Sequence, residues 1–288
     1  MTKRPNAADP PVTVDVVALH GWAMGPGSFR AVAAHLPHTI SLHCPALRGH
    51  AEGPALEEHD GLDALAADIA PCLSANGDRP VLLWGWSMGA VLAWKALADN
   101  PNLPICGLVV EDMAPCVPKA TDWPWGLIDP PRGGGPDRGL YAMAENWPRW
   151  ARAAADHVFR DACDPESVPI ADQAFDVMVR QDGAIMARLY AELLEQDLRA
   201  VASDLTPPCL IIHGGLSALY PAAAAIWMER SATRAQRVCF ATAGHAPHWE
   251  APRRFAAVLT EFALKCAKTP GRATPSKTIT NQYLGGDL

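Results

Sequence analysis

The sequence predicts an α/β protein, with a mostly parallel sheet covered on both faces and a helical cap inserted near the middle of the chain. Three observations carry the prediction. Short apolar runs alternate with segments of helical period. One of those runs, Leu82-Leu83-Trp84, enters Gly85-Trp86-Ser87-Met88-Gly89 and then a helix from Ala90 to Leu97. A Pro/Trp/Gly-rich passage, Pro118 to Gly139, breaks the alternation before the chain turns helical again from Leu140.

Strands are expected at Val12–Leu19, Thr39–Cys44, Val81–Trp84, Gly107–Glu111, Cys209–His213 and Arg237–Ala241. Each is a short apolar run, as strands buried on both faces require. Between them, Gly25–Leu36 places Phe29, Val32 and Leu36 on one helical face. Leu62–Leu73 does the same with Leu62, Leu65, Ile69 and Leu73. A closing helix, Pro252–Cys266, buries Phe255, Val258, Leu259 and Phe262. These elements define a core of residues 12–115 and 203–268 and a helical cap of residues 116–202. The polar stretches 1–11 and 269–288 have no apolar period and are expected to be flexible termini.

Composition narrows the function classes. The 288 residues are 49% apolar and 19% charged, enough for a sizeable core, and the net charge of −7 argues against nucleic acid as the main partner. Eight cysteines stand at 44, 72, 106, 116, 163, 209, 239 and 266, with no Cys-x-x-Cys pair, so neither a zinc ribbon nor a thioredoxin-type site is signalled. Reduced thiols packed as small hydrophobes suit the cytoplasm. Met1 to Pro11 lacks the apolar core of a secretory signal, and no run reaches the length of a membrane span. The expected partner is a small molecule, with no nucleic acid and no membrane.

The chemistry centres on Ser87. A serine at the tip of a sharp strand-to-helix turn has its hydroxyl pushed out of the sheet, and the helix start offers N–H groups toward developing negative charge. A serine nucleophile needs a base, an acid to orient that base, and donors for the oxyanion. His245, in Ala243-Gly244-His245-Ala246-Pro247, sits between a strand and the last helix and is the expected base. His50, His213 and His248 are its rivals, each better explained as a loop or supporting residue. The oxyanion donors are expected to be the backbone N–H of Met88 and that of Trp22, in His20-Gly21-Trp22, where Gly21 lets the backbone approach closely.

Over residues 12 to 265 the chain resembles the α/β-hydrolase esterases. His20-Gly21-Trp22, Gly85-Trp86-Ser87-Met88-Gly89 and Gly244-His245-Ala246-Pro247 are similar to the pimeloyl-carrier-protein methyl esterases of biotin synthesis. That resemblance implies the α/β-hydrolase fold, an acyl-enzyme mechanism without cofactor or metal, and, through cap arginines, an acyl carrier protein as a further partner. Arg132, Arg138, Arg149, Arg152 and Arg160 are the candidates, although solvated helix faces explain arginines equally well.

One position departs from the pattern. Those esterases carry their acid in a Gly-x-x-Asp loop, where this chain has Gly214-Gly215-Leu216-Ser217, and serine cannot hold an imidazolium by charge. A second group, small bacterial and mitochondrial esterases, resembles this chain in having Gly-Gly-x-Ser there. It carries the acid instead at the end of the strand counted sixth in the family's sheet. The corresponding segment is Val109-Val110-Glu111-Asp112-Met113-Ala114-Pro115, so Asp112 is expected to be the acid, with Glu111 as rival. Adjacent strand residues point to opposite faces, so only one of the two can serve. Cys44, in the loop His43 to His50, replaces an aspartate that is structural in the superfamily.

The cap holds Trp123, Trp125, Trp147 and Trp150, with Leu140, Tyr141, Met143 and Phe159. Trp22, Trp123, Trp147 and Trp150 are expected to line an apolar acyl pocket above Ser87, although aromatic residues also pack caps onto cores. The expected function is a serine carboxylic-ester hydrolase acting on a small or medium acyl ester. Two alternatives remain open: a thioesterase or methyl esterase on a carrier-bound chain, and a non-catalytic small-molecule receptor on the same fold.

Overall fold

The computed structural model describes residues 13–74, 79–128, 136–159 and 170–268. Six parallel strands form one sheet in the order β2-β1-β3-β4-β5-β6. They are β1 (Val14–Leu19), β2 (Ile40–His43), β3 (Val81–Trp86), β4 (Gly107–Glu111), β5 (Cys209–Gly214) and β6 (Ala235–Phe240). All six expected strands are present, with ends displaced by a few residues. Strands β1, β3, β4 and β5 are buried along their whole length, which accounts for their unbroken apolar runs. The one charged residue in β1, Asp15, is held by Arg79 at 2.9 Å.

The chain leaves β1 outward to β2, then returns across it to β3. That reversal creates a crevice at the carboxyl ends of β1 and β3, where ligands bind in open α/β sheets. The loops after β1, β3, β4, β5 and β6 all open on the same end.

Two expected helices are shorter than their periodicity suggests. Residues 25–36 form a 3-10 turn, Pro26–Phe29, followed by one α-turn, α1 (Arg30–Ala33). Pro37 stops it, because a residue preceding proline is pushed out of the helical region. The stretch Leu62–Leu73 divides at Asp68 into α2 (Leu62–Ala67) and α3 (Ile69–Ser74). Pro71 has no N–H to offer the Ala67 carbonyl four residues back, so the ladder breaks there while the apolar face continues. Helix α4 (Met88–Asp99) follows β3 directly and is buried along nearly all its length.

Between β4 and β5 lie α5 (Pro136–Glu145), α6 (Trp147–Phe159), α7 (Ile170–Met178), α8 (Gly183–Leu194) and α9 (Arg199–Ser203). Residues of α6, α7 and α8 reach over the carboxyl ends of the strands and share a cavity with Ser87. After β5 come α10 (Ala222–Ser231), α11 (Pro247–Glu250) and α12 (Pro252–Lys268). In α12, Phe255, Leu259, Phe262 and Cys266 form the buried stripe. The expected flexible termini lie outside the described residues.

Candidate active site

Ser87 occupies the turn between β3 and α4 with φ 54°, ψ −122°, left-handed backbone that a side chain adopts only under strain of about 1–3 kcal/mol. The flanking glycines make the turn possible. A β-carbon on Gly85 would stand 2.4 Å from Ala90 N, and one on Gly89 would stand 2.2 Å from the Leu19 carbonyl oxygen. Helix α4 therefore rests directly on β1 and β3. Ser87 N–H donates to the Glu111 carbonyl at 3.0 Å, and Ala90 N–H donates to the Ser87 carbonyl at 2.8 Å.

His245 and Asp112 meet across the strand ends. His245 Nδ1 lies 2.7 Å from Asp112 Oδ2, both side chains buried. A carboxylate at Nδ1 holds the proton there and leaves Nε2 as the basic nitrogen. His245 and Ser87 line the same cavity. Trp86, next to the serine, anchors the histidine backbone by donating from Nε1 to the His245 carbonyl at 2.9 Å. Glu250 accepts the N–H groups on either side of His245, from Gly244 and, at 2.9 Å, from Ala246. Burial raises the Glu250 carboxyl above its ordinary value, while those two donors pull the other way.

Asp112 follows the last residue of β4 and has φ 43°, the second strained non-glycine residue here. Its N–H donates to the Ile212 carbonyl at 2.8 Å. Oδ1 accepts from Gly214 N at 3.0 Å, and Oδ2 accepts from Ser217 Oγ at 2.6 Å. Ser217 is fixed in turn, accepting from Leu219 N and Tyr220 N at 3.3 Å. The serine that replaces the expected loop aspartate thus hydrogen-bonds to the carboxylate supplied by β4. In the sequence Ser217 has no role of its own beyond marking the missing loop acid. The Gly-Gly-x-Ser pattern was the signal, and its meaning needed the register of β4 beside β5.

Glu111 points the other way, as strand alternation requires. Its carboxylate accepts from Trp84 Nε1 at 3.0 Å and from the backbone N of His248 at 2.9 Å, and it pairs with His248 Nδ1 at 2.9 Å. Glu111 and His248 are thereby joined to each other and away from Asp112 and His245. His213 bonds Arg237 at 3.0 Å and the Gly214 carbonyl at 3.3 Å. His50 serves the loop after β1: its Nε2 accepts from Ala23 N at 3.2 Å. His20 Nε2 likewise accepts from Leu47 N at 3.2 Å. Burial lowers the His20 pKa to about 3 and that of His50 to about 4, so both stay neutral acceptors at neutral pH.

Gly21, Trp22, Ala23 and Met24 form a turn closed by Met24 N–H on the Gly21 carbonyl at 3.2 Å, with Ala23 at φ 58°. A β-carbon on Gly21 would lie 3.3 Å from Ser87 Cβ, so this turn sits against the serine. Met88 is the first residue of α4, and its N–H has no partner within the helix. Of the two residues expected to supply donors, Trp22 therefore belongs to the turn against Ser87 and Met88 follows it directly.

Beside these groups lies a cavity of about 610 Å³, within the range of small-molecule sites. Trp22 and Trp150 line it, together with Phe159, Tyr190, Leu193 and Tyr220. Among the described residues that line it there is no Asp, Glu, Lys or Arg. Trp123 and Trp147 do not reach it. Trp123 is buried with its Nε1 on the Cys116 carbonyl at 2.9 Å and its ring against Trp125 and Trp227. Trp147 donates to the Met178 carbonyl at 2.8 Å and packs on Trp22 and Trp150 from behind. In each, the indole N–H is satisfied by a backbone carbonyl and the ring is packed against other indoles. Among the cap arginines, Arg149 is exposed, and Arg152 is paired with Asp156 and, at 2.8 Å, with Asp172. Arg132, Arg160 and the side chain of Arg138 lie outside the described residues.

Residues 16–258 match the alpha/beta hydrolase family, and the chain belongs to that family. The pimeloyl-(acyl-carrier protein) methyl ester esterase of Nitrosomonas europaea is 30% identical over 248 residues, covering 84% of this chain and 92% of that protein. The protein of the same name from Aromatoleum aromaticum is 30% identical over 259 residues, with 86% and 97% covered. Among solved structures, an esterase from Exiguobacterium antarcticum superposes with a TM-score of 0.75 at 20% identity, covering 89% of this chain and 93% of that one. A bromoperoxidase from Bacillus anthracis reaches 0.74 at 17% identity, with 87% and 92% covered. These two share the fold. Among the described residues no helix is long and apolar enough to cross a membrane.

Proposed function

We propose that the protein is a serine carboxylic-ester hydrolase, with Ser87 as nucleophile, His245 as general base and acid, Asp112 as the orienting carboxylate, and the N–H groups of Trp22 and Met88 as oxyanion donors. The observation that carries this reading is the 2.7 Å contact between His245 Nδ1 and Asp112 Oδ2, beside a cavity that His245 shares with a strained serine.

The steps follow from that geometry. Ser87 Oγ attacks the ester carbonyl carbon as its proton passes to His245 Nε2. The carbonyl π electrons move onto oxygen, and the two N–H groups take up that charge, each contributing about 3 kcal/mol. Asp112 stabilises the imidazolium. Collapse of the tetrahedral species breaks the bond to the leaving oxygen, which takes the proton from Nε2. Water, deprotonated by the same nitrogen, then attacks the acyl-enzyme, and the acid is released with Ser87 restored.

The lining supports a neutral substrate with an apolar acyl chain of small or medium length. Among the described lining residues a free carboxylate would meet no Lys or Arg, and His157 is the one basic side chain there besides His245. The relatives named as methyl ester esterases of a carrier-bound chain favour a second reading, in which a methyl ester enters and the rest of the acyl chain leads out toward an acyl carrier protein. The protein works without cofactor, in the cytoplasm on this reading.

The test is hydrolysis of p-nitrophenyl esters from acetate to dodecanoate, alongside fluorophosphonate labelling, by wild type and Ser87→Ala. Turnover and labelling that both vanish in the variant support the assignment. Tight ligand retention with neither turnover nor labelling in the wild type would replace it with the receptor reading.

A further inference from the structure

The loop after β1 is fixed at both ends by the core and in its middle by the cap. Its ends are set by the Gly21–Met24 turn bond and by Ala23 N–H on His50 Nε2 at 3.2 Å. Between them stands Trp22, whose backbone N–H has no hydrogen-bond partner among the described residues. The side chain of Trp22 belongs to another layer. Its Nε1 donates to the Met186 carbonyl of α8 at 2.9 Å. Its ring meets Tyr190 of α8 at 4.9 Å between centroids, and Trp150 and Trp147 of α6 edge-on at 5.3 and 5.7 Å. One hydrogen bond and three ring contacts thus hold the indole to the cap.

We propose that the Trp22 indole is a positioning group through which cap helices α6 and α8 set the orientation of the oxyanion donor. The donor is the main chain of the same residue, one rotatable unit from a side chain clamped by the cap. A shift of the cap that releases the Met186 bond or the ring cluster frees the Trp22 peptide to turn, and the oxyanion loses one of its donors. Full catalytic power then requires the cap to be seated. The inference rests on the ester-hydrolase reading above.

The test uses the full chain with p-nitrophenyl acetate, whose two-carbon acyl group leaves the acyl cavity largely empty. Trp22→Phe keeps a ring and removes the donor to Met186. Trp147→Phe alters the ring behind Trp22 and lies outside the cavity lining, so it also carries the test if the first variant does not fold. Rates are normalised to the folded fraction by circular dichroism. The expected result is a kcat lower by about tenfold in each variant, with KM changed less than about twofold. Affinity for trifluoroacetone, whose adduct with the serine bears the oxyanion, should weaken by the same factor as kcat. A raised KM with unchanged kcat and unchanged inhibitor affinity would overturn the inference and leave Trp22 as a wall of the cavity. An inactive wild type would remove the ester-hydrolase reading and this inference with it, whereas an active wild type with unaffected variants removes only this one.

Discussion

Ser217 Oγ donates to Asp112 Oδ2 at 2.6 Å, and His245 Nδ1 lies on the same oxygen at 2.7 Å. A hydroxyl on the loop after β5 and an imidazole from the loop after β6 thus converge on one carboxylate oxygen at the end of β4. The β5 loop carries no charge of its own here, and it secures the charge that β4 supplies.

Ser217→Ala should lower kcat by about three- to tenfold, the effect of removing one charge-assisted hydrogen bond from a buried carboxylate. Ser217→Thr keeps the hydroxyl and should retain most of the rate. Equal losses in both variants, measured on one short p-nitrophenyl ester, would show that the hydroxyl is not the operative group.

The two neighbouring carboxylates should separate by assay. Asp112→Asn is expected to reduce kcat by up to about four orders of magnitude, because the amide neither stabilises an imidazolium nor enforces its tautomer. Glu111→Gln should change turnover per folded molecule little. It should lower stability by about 2–4 kcal/mol, since the amide NH₂ confronts Trp84 Nε1 or His248, which already donate to that site. Thermal melts paired with kcat distinguish the two outcomes, and a reversed pattern would make Glu111 the acid.

Acid should loosen the loop that carries Trp22. His20 and His50 are held far below the ordinary histidine value of 6.5, chiefly by burial. The unfolded chain therefore takes up these protons first as pH falls. Stability is complete well above about pH 6.5 and declines as pH falls through it toward pH 4, by roughly 1 kcal/mol or slightly more per histidine at about pH 5.5. Chemical denaturation at about pH 7.5 and about pH 5.5 should differ by about 2–3 kcal/mol in total from this pair. His50→Gln, which keeps an acceptor for Ala23 N–H without the titration, should roughly halve that difference.

Gly89→Ala tests the strand-to-helix turn. The added carbon would lie 2.2 Å from the Leu19 carbonyl oxygen, where only backbone can yield. The expected loss is about 3 kcal/mol or more in denaturant unfolding, with activity falling further as Ser87 is displaced. Unchanged stability would mean that α4 does not rest on β1.

The sequence by itself determined the strand and helix alternation, and hence a parallel sheet covered on both faces. The apolar runs of β1, β3, β4 and β5 had no polar side to expose, which separates this class from half-buried antiparallel sheets. It also determined Ser87 and His245 as candidates, because a nucleophile at a strand-to-helix turn needs its glycines at fixed neighbours. Local chemistry of that kind is written in adjacent residues. Helix limits were less legible, since Pro71 divides a continuous apolar stripe through a missing N–H that periodicity does not register.

Only the tertiary structure decided what depends on residues far apart in the chain. It separated Asp112 from Glu111 by giving each a different histidine, His245 and His248, from the loop and helix after β6. It turned Ser217 from a missing acid into a donor. It kept Trp22 and Trp150 on the cavity, packed Trp123 against Trp125 and Trp227, and set Trp147 behind Trp22 and Trp150. Composition counts such residues, but only packing fixes where the partner of each polar atom lies.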